Sequence, residues 1–196
     1  MTKHKLIFAS SNQDKIREVQ NKMPNSIQVI SMREMGFKGE IIEDGLTIEQ
    51  NAKIKADTLY KRYKTNCFGD DTGLMVDHLD GRPGVFSARY AGENCSYNDN
   101  VKKLLKALKG ATNRKAHFKT VISLWWEDSY YDFVGRIDGT ITEEAAGQDG
   151  FGYDPIFKPD GHEQTFAEMS MDLNNRTSHR AIAVPKLIES IHQTSS

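Results

Sequence analysis

The sequence predicts a mixed α/β fold, in which a β-sheet is flanked by helices. Segments with helical and strand periodicity alternate through the first half, and a long strand hairpin follows them. A chain of this length buries about 70% of the surface that it exposes when unfolded, so it can form a core without disulfides or a metal. Because no linker interrupts the sequence, we expect a single domain over residues 1–196.

Boundary residues place the elements of the first half. Pro24 ends the first predicted helix, because proline cannot continue the helical hydrogen bonds. Thr47 and Gln50 have the spacing of a capping box, in which each side chain serves a backbone N–H at the start of a helix. The predicted elements are strands at 6–9 and 27–30 and helices at 13–23 and 48–64.

In the middle of the chain, the pair Thr72-Gly73 separates two predicted strands, 67–71 and 74–77. A helix should open at Asn98 or Asp99 and end at Gly110, since glycine is the usual residue just past a helix end.

The pattern of the second half of the sequence predicts a hairpin of strands 118–126 and 130–141, with residues 127–129 as the turn. A further strand is expected at 151–157. The tail from Ser178 to His192 is helical in pattern, and Pro185 marks either a kink or the first turn of a new helix.

Composition excludes several classes of protein. The 26 Lys and Arg residues balance 27 Asp and Glu residues, whereas general nucleic-acid binders are usually basic. Nowhere do about 18 apolar residues follow one another, and the N-terminal apolar run is too short for a signal peptide. Cys67 and Cys95 do not form a disulfide framework. We therefore expect a cytoplasmic protein with neither nucleic acid nor membrane as partner.

The first candidate site is the strand-to-helix turn Ser10-Ser11-Asn12-Gln13-Asp14-Lys15. Backbone N–H groups at a helix N-terminus favour phosphate, and Lys15 adds a mobile positive charge. The alternative is an ordinary helix cap with a surface ion pair between Lys15 and Glu18. Neither a Walker loop nor a dinucleotide fingerprint occurs.

The second candidate is the acidic pair Asp70-Asp71, which we expect at the end of a strand. Adjacent carboxylates repel, so burying both favours a cation between them, and Mg²⁺ commonly bridges carboxylates to phosphates. Glu40, Glu43 and Asp44 precede the capped helix and could add a ligand. The alternative is a solvated turn at Asp-Asp-Thr-Gly.

The triplet Asp71-Thr72-Gly73 also occurs in aspartic proteases, whose mechanism needs two aspartates that share a proton. Because the chain has no second such triplet, a monomeric protease is excluded, and a symmetric dimeric one remains as an alternative.

Two later segments complete the candidates. In Gly150-Phe151-Gly152-Tyr153-Asp154, glycines beside aromatic rings allow a flat ligand to approach the backbone. Ser178-His179-Arg180 places three donors at a predicted helix start. The alternatives are a strand whose rings fill the core and an ordinary cap with surface residues.

These segments, in this order, resemble the inosine triphosphate pyrophosphatases, which hydrolyse aberrant purine nucleoside triphosphates. The likeness spans about residues 5–192. The matching segments are Ser10–Glu18, Glu43–Thr47, Asn51–Ala56, Gly69–Leu74, Gly84–Gly92, Gly150–Phe157 and Ser178–Arg180.

The resemblance implies a homodimer of elongated subunits, each with two lobes and a central cleft, and Mg²⁺-dependent conversion of ITP, dITP or XTP to the monophosphate and pyrophosphate. It also implies roles for individual residues. Asp71 is the general base and, with Glu43, a metal ligand. The implied substrate-binding residues are Ser10, Ser11, Asn12, Gln13, Asp14 and Lys15 for the triphosphate, Thr72, and Phe151, Gly152, Tyr153, Asp154, His179 and Arg180 for the base.

Three positions depart from the pattern of this family. Relatives often carry two acidic residues where this chain has Ile42-Glu43, which makes Glu43 the expected metal ligand and Glu40 the reserve. Asn174, which we also expect to contact the substrate, stands where many relatives have lysine, and Pro185 is unexpected in the last helix. A nucleotide-binding protein without turnover remains an alternative to the enzyme.

Overall fold

The computed structural model describes residues 4–194, apart from the side chains at 175 and 194. The strands are β1 (His4–Phe8), β2 (Ile27–Ser31), β3 (Cys67–Val76), β4 (Lys115–Trp126), β5 (Ser129–Ile141) and β6 (Phe157–Pro159). The α-helices are α1 (Gln13–Lys22), α2 (Ile48–Tyr63), α3 (Tyr97–Ala107), α4 (Met171–Thr177) and α5 (His179–Thr194).

The six strands form one mixed sheet in the order β2-β1-β3-β4-β5-β6, so the predicted fold class is confirmed. β1 pairs in parallel with both β2 and β3, and its last residue, Phe8, lies opposite Phe68. β5 pairs with β6 in antiparallel orientation. Glu127 and Asp128 form the β4–β5 turn with φ angles of 47° and 62°, the positive values that two-residue hairpin turns of this kind require.

The chain divides into two compact units. The first contains the described residues up to Asp71, Thr120–Gly135 and residues 180–194, and the second contains Thr72–Lys119 and Arg136–His179. Each unit has its own apolar core. In the first, the rings of Phe8 and Phe68 stack with centroids 4.3 Å apart. In the second, the rings of Phe118 and Phe157 pack edge-to-face with centroids 4.7 Å apart. The single domain stays a prediction.

β3 corrects the predicted break at Thr72-Gly73, because one strand runs through the pair from Cys67 to Val76. Asp70 and Asp71 therefore lie within a strand, and both the expected turn and the expected strand end are wrong. β3 is buried along most of its length between β1 and β4. Ladder hydrogen bonds and burial in a central strand outweigh the local turn preference of Asp, Thr and Gly.

The helix in the middle begins earlier than predicted. Ser96 caps α3 through a capping box with Asp99, and the helix ends at Ala107, before Gly110. The cap of α2 also differs from the prediction. Thr47 Oγ1 accepts from Gln50 N, but Gln50 Oε1 accepts from Leu46 N rather than from the capping residue itself.

The C-terminal third holds two further corrections. Residues 151–156 do not form a strand, since a short 3₁₀ turn occupies Asp154–Ile156 and β6 begins only at Phe157. Pro185 lies inside α5 and starts no new helix, and α4 was not predicted. Within residues 4–194, no helix has the length and apolar character needed to cross a bilayer.

Candidate functional site

The turn from β1 to α1 carries the predicted phosphate-binding residues. Asn12 caps α1, because its Oδ1 accepts from Asp14 N at 2.9 Å and from Lys15 N at 3.2 Å. Asn12 N in turn donates to Ser10 Oγ at 3.1 Å. Two of the N–H groups that were expected to meet an anion are therefore occupied by the cap, while Ser11 and Gln13 are exposed.

Lys15 is directed at the acidic pair rather than at its own helix. Its Nζ donates to Asp70 Oδ1 at 2.9 Å, so the alternative of a surface pair with Glu18 is wrong. Burial lowers the pKa of Lys15, although the carboxylate of Asp70 opposes the shift. Lys15 is thus a mostly buried cation held in one direction at the start of α1.

Arg180 engages the same carboxylate. Its Nε and Nη2 donate to Asp70 Oδ2 at 3.1 Å and 3.0 Å, and its Nη1 donates to Glu18 Oε2 at 2.9 Å. Burial alone would raise the pKa of Asp70, but Lys15 and Arg180 together hold it well below its usual value. Both oxygens of Asp70 are therefore committed to buried cations.

Asp71 has different surroundings because neighbouring side chains of a strand point to opposite faces. Lys55 Nζ lies 3.4 Å from Asp71 Oδ1 and 2.7 Å from Glu43 Oε2, and it donates to the backbone oxygen of Asp70 at 3.0 Å. Burial alone would lower the pKa of Lys55, but Asp71 and Glu43 raise it. A lysine thus joins the two predicted metal ligands.

The second oxygen of Asp71 is the outstanding feature of this group. Oδ2 is buried and has no hydrogen-bond partner among residues 4–194. Burial raises the pKa of Asp71, and Lys55 and Lys15 only partly oppose that shift. An orphaned buried carboxylate oxygen costs free energy unless a proton or a cation meets it. Asp71 can therefore accept either one.

Carboxylate oxygens are the ligands that a divalent cation of the Mg²⁺ type takes, and Asp71 and Glu43 supply them beside Lys55. The described part of the chain contains no group of three or more His, Cys, Asp or Glu side chains arranged around a common point. Mg²⁺ is usually held by only one or two carboxylates together with substrate phosphates, so two suffice. Glu40 is exposed, whereas Glu43 reaches the lysine that Asp71 also contacts.

The second unit contains the segment predicted to hold a base. Asp154 Oδ2 accepts from Phe151 N at 2.9 Å and so closes the turn between them. A side chain at Gly150 would collide with Asp154, and the φ of 79° there also favours glycine. Tyr153 is buried in the core and donates its hydroxyl to Ser87 O at 2.9 Å. Phe151 is half-buried.

The other residues predicted for substrate lie on three elements of the second unit. The buried ring of His179 stacks on Phe118, with centroids 4.9 Å apart. Asn174 Nδ2 donates to Phe166 O at 3.3 Å, and Thr72 is half-buried on β3. His179 is the first residue of α5, so the predicted helix start there is confirmed.

Two residues of the group were not assigned from the sequence. Asp70 was considered only as half of an acidic pair, and Lys55 received no role. The pattern of α2 contained an indication for Lys55, because it lies at helical spacing from the buried residues Asn51, Ala52, Ala56 and Leu59. A lysine on the buried face of a helix requires a partner for its charge.

A capped strand-to-helix turn with a buried lysine, beside carboxylates that can accept a cation, is typical of α/β proteins that bind phosphorylated ligands. Comparison with known proteins defines the class more closely. The sequence profile described as the Ham1 family matches residues 6–190, and the chain belongs to that family. The resemblance found in the motifs is thereby confirmed.

Individual relatives and solved structures agree with this family membership. A protein of Flavobacterium johnsoniae named dITP/XTP pyrophosphatase is 49% identical over 190 residues, covering 97% of this chain and 99% of the relative. A Porphyromonas gingivalis protein of the same name is 46% identical, covering 93% and 95%. The structure of the Staphylococcus aureus Ham1 protein matches with a TM-score of 0.89 and 37% identity, covering 97% of this chain and 99% of that one.

Proposed function

We propose that this protein hydrolyses the deaminated purine nucleoside triphosphates dITP, ITP and XTP to the monophosphate and pyrophosphate. The observation that carries the proposal is the buried, unpartnered Oδ2 of Asp71 beside Lys55 and Glu43. Membership of the Ham1 family and the printed name of the relatives support the substrate class.

Asp71 acts as the general base. It accepts a proton from the attacking water, whose oxygen forms the new bond to the α-phosphorus while the bond to the leaving pyrophosphate breaks. The raised pKa of its carboxyl favours that proton transfer. Asp71 and Glu43 would hold a Mg²⁺ ion, which when bound neutralises charge on the phosphates.

The triphosphate is bound by the turn from Ser10 to Lys15. Asp70 does not take part in the chemistry, since its two oxygens hold Lys15 and Arg180. Its role is to keep the Lys15 ammonium in place, so that a positive charge is already oriented before the substrate arrives. Thr72, which follows Asp71 on β3, adds a polar contact to the substrate.

The base is bound by the segment Phe151-Gly152-Tyr153-Asp154, with Asn174, His179 and Arg180. N–H donors of His179 and Arg180 suit the 6-keto oxygen of hypoxanthine or xanthine, whereas adenine presents an amino donor at that position. A mismatch of this kind leaves buried polar groups unpaired and can cost about 10⁴-fold in discrimination. ATP and dATP are therefore poor substrates.

The assembly and location follow the same resemblance. We propose a homodimer that acts in the cytoplasm, where the nucleotide pool that it cleanses is used. Molar mass measured by light scattering tests the dimer, because a monomer has 22.2 kDa. A mass near that of one chain at micromolar concentration would refute it.

Product analysis tests the activity itself. The purified protein is mixed with dITP, XTP, dATP or GTP, each with Mg²⁺ and with EDTA. Pyrophosphate and monophosphate from dITP and XTP, lost in EDTA, support the proposal. Inorganic phosphate with a diphosphate means attack at the γ-phosphorus and contradicts it. Tight dITP binding without products favours the binding protein, and peptide cleavage at acid pH that is indifferent to EDTA favours the dimeric aspartic protease.

A further inference from the structure

An aromatic contact in the second unit joins α3 to the segment proposed to hold the base. The ring centroids of Tyr97 and Phe151 lie 6.1 Å apart, with 44° between the ring planes. This tilted arrangement falls in the range in which aromatic pairs attract each other. Tyr97 is 43% exposed, and no role proposed so far uses it.

Tyr97 stands on a well-fixed part of the backbone. It is the first residue of α3, between the two partners of the capping box, where Ser96 Oγ accepts from Asp99 N and Asp99 Oδ2 accepts from Ser96 N. The same turn is tied down by Asn100, whose Oδ1 accepts from Ala91 N at 2.7 Å. The backbone that presents the Tyr97 ring is therefore anchored on both sides.

Phe151 is placed differently. Its neighbours Gly150 and Gly152 both have positive φ angles and contribute no side chain that could pack against its ring. Asp154 fixes the Phe151 N–H, and so fixes the backbone, but a backbone hydrogen bond does not select the direction of a side chain. A ring contact from the anchored α3 does restrict that direction.

We propose that Tyr97 is a positioning residue that holds the Phe151 ring in the orientation needed to bind a flat purine base. The inference rests on the proposed function, in which Phe151 contacts the base of a nucleoside triphosphate. An orientation that exists before binding is not paid for when the substrate arrives, so the contact strengthens substrate binding. The contact does not alter the attack at phosphorus. Loss of the contact should therefore raise KM and leave kcat unchanged.

Steady-state kinetics with dITP and Mg²⁺ test the inference. Tyr97→Ala should raise KM about threefold to tenfold, the range expected for loss of an aromatic pair, with kcat within about twofold of wild type. Tyr97→Phe keeps the ring and should restore the wild-type KM. Asn98→Ala, at the next position of α3, which is also exposed, is the matched control and should leave both constants unchanged.

A double-mutant cycle separates positioning from a general structural effect. In a Phe151→Ala background, Tyr97→Ala should add no further change in KM, because the ring that it orients is gone. An unchanged KM in Tyr97→Ala, an equal effect in both backgrounds, or failure of Tyr97→Phe to restore KM would each overturn the inference.

Failure of the proposed function gives a different result. If wild-type protein releases no pyrophosphate from dITP, the activity is refuted whatever Tyr97 does. The contact is then tested by equilibrium titration of dITP onto the wild type and the same variants. A dissociation constant raised by Tyr97→Ala supports the positioning role, and an unchanged one overturns it.

Discussion

Asp70 and Asp71 are consecutive on β3, yet their carboxylates have opposite electrostatic surroundings. Asp70 accepts from two buried cations, Lys15 and Arg180, and its pKa is lowered. Asp71 keeps one buried oxygen without a partner among residues 4–194, and its pKa is raised. The alternation of a strand separates a carboxylate that orients cations from one that can take part in chemistry. Different outcomes are therefore expected when each is neutralised.

Neutralising Asp71 should strongly reduce turnover. We expect Asp71→Asn to lower kcat for dITP by about 10²- to 10⁴-fold, the usual contribution of a general base. Pyrophosphate release at saturating Mg²⁺ measures the loss. Asp77→Asn, an exposed aspartate just past β3, is the control and should retain full activity. A kcat of Asp71→Asn within about tenfold of wild type would place the base elsewhere.

The same substitution should stabilise the protein at neutral pH without metal. Because the pKa of Asp71 is raised in the folded state, the folded protein binds more protons than the unfolded chain, and stability falls as pH rises through that pKa. Asparagine does not ionise, so Asp71→Asn removes this pH-dependent loss of stability. We expect a higher Tm than wild type at pH 7 in EDTA, by about 2–4 °C for each kcal/mol gained.

The pH dependence of that difference is the control. Below about pH 3.9, the ordinary pKa of aspartate, Asp71 is protonated in both states, and the Tm difference should shrink. An Asp71→Asn protein that is less stable than wild type at pH 7 would contradict the conclusion that burial destabilises the charged form of Asp71.

Neutralising Asp70 should have the opposite effect on stability. Asp70→Asn leaves Lys15 and Arg180 without the carboxylate that both contact, and breaking a buried pair costs about 3–5 kcal/mol. The difference in the free energy of unfolding between Asp70→Asn and wild type, obtained from urea denaturation, measures this loss of stability. Because the pKa of Asp70 is lowered on folding, its contribution is present above about pH 3.9 and is lost as pH falls. Equal unfolding free energies at pH 7 would refute the ion-pair role.

The metal ligand is tested on the loop before α2. Glu43 reaches Lys55, the lysine that Asp71 also contacts, whereas Glu40 is exposed on the same loop. We expect Glu43→Gln to raise the Mg²⁺ concentration for half-maximal activity by at least about tenfold, and Glu40→Gln to leave it unchanged. Mg²⁺ titrations of dITP hydrolysis decide between them, and the reverse order would assign the ligand to Glu40.

Base selection is tested at His179. Its ring stacks on Phe118, so His179→Phe keeps an aromatic ring there while removing the N–H donors. We expect the ratio of kcat/KM for dITP over dATP to fall by at least about tenfold, because the donor to the 6-keto oxygen is lost. His78→Phe, at an exposed position, is the control. An unchanged ratio would remove His179 from base selection.

Local sequence determined much of this protein. The cap of α1, the helix end before Pro24 and the hairpin turn depend on residues a few positions apart. The helix end lies where it was predicted, and the cap by Asn12 is the alternative interpretation of the Ser10–Lys15 turn. The turn predicted at 127–129 is formed by Glu127 and Asp128, with Ser129 already in β5. The order of the motifs also sufficed to identify the family, because each motif keeps its residues at fixed spacing along the chain.

The tertiary structure alone decided the partners of the charges. The parallel register that sets Phe8 beside Phe68 brings the turn after β1 to β3, and so brings Lys15 to Asp70, 55 positions away. Arg180 meets the same carboxylate from 110 positions away. Which carboxylate is neutralised and which keeps a free oxygen depends on strand pairing and on the two faces of β3. Local patterns do not encode these contacts. The turn predicted at Thr72-Gly73 is absent for the same reason, because pairing in the sheet makes β3 one continuous strand there.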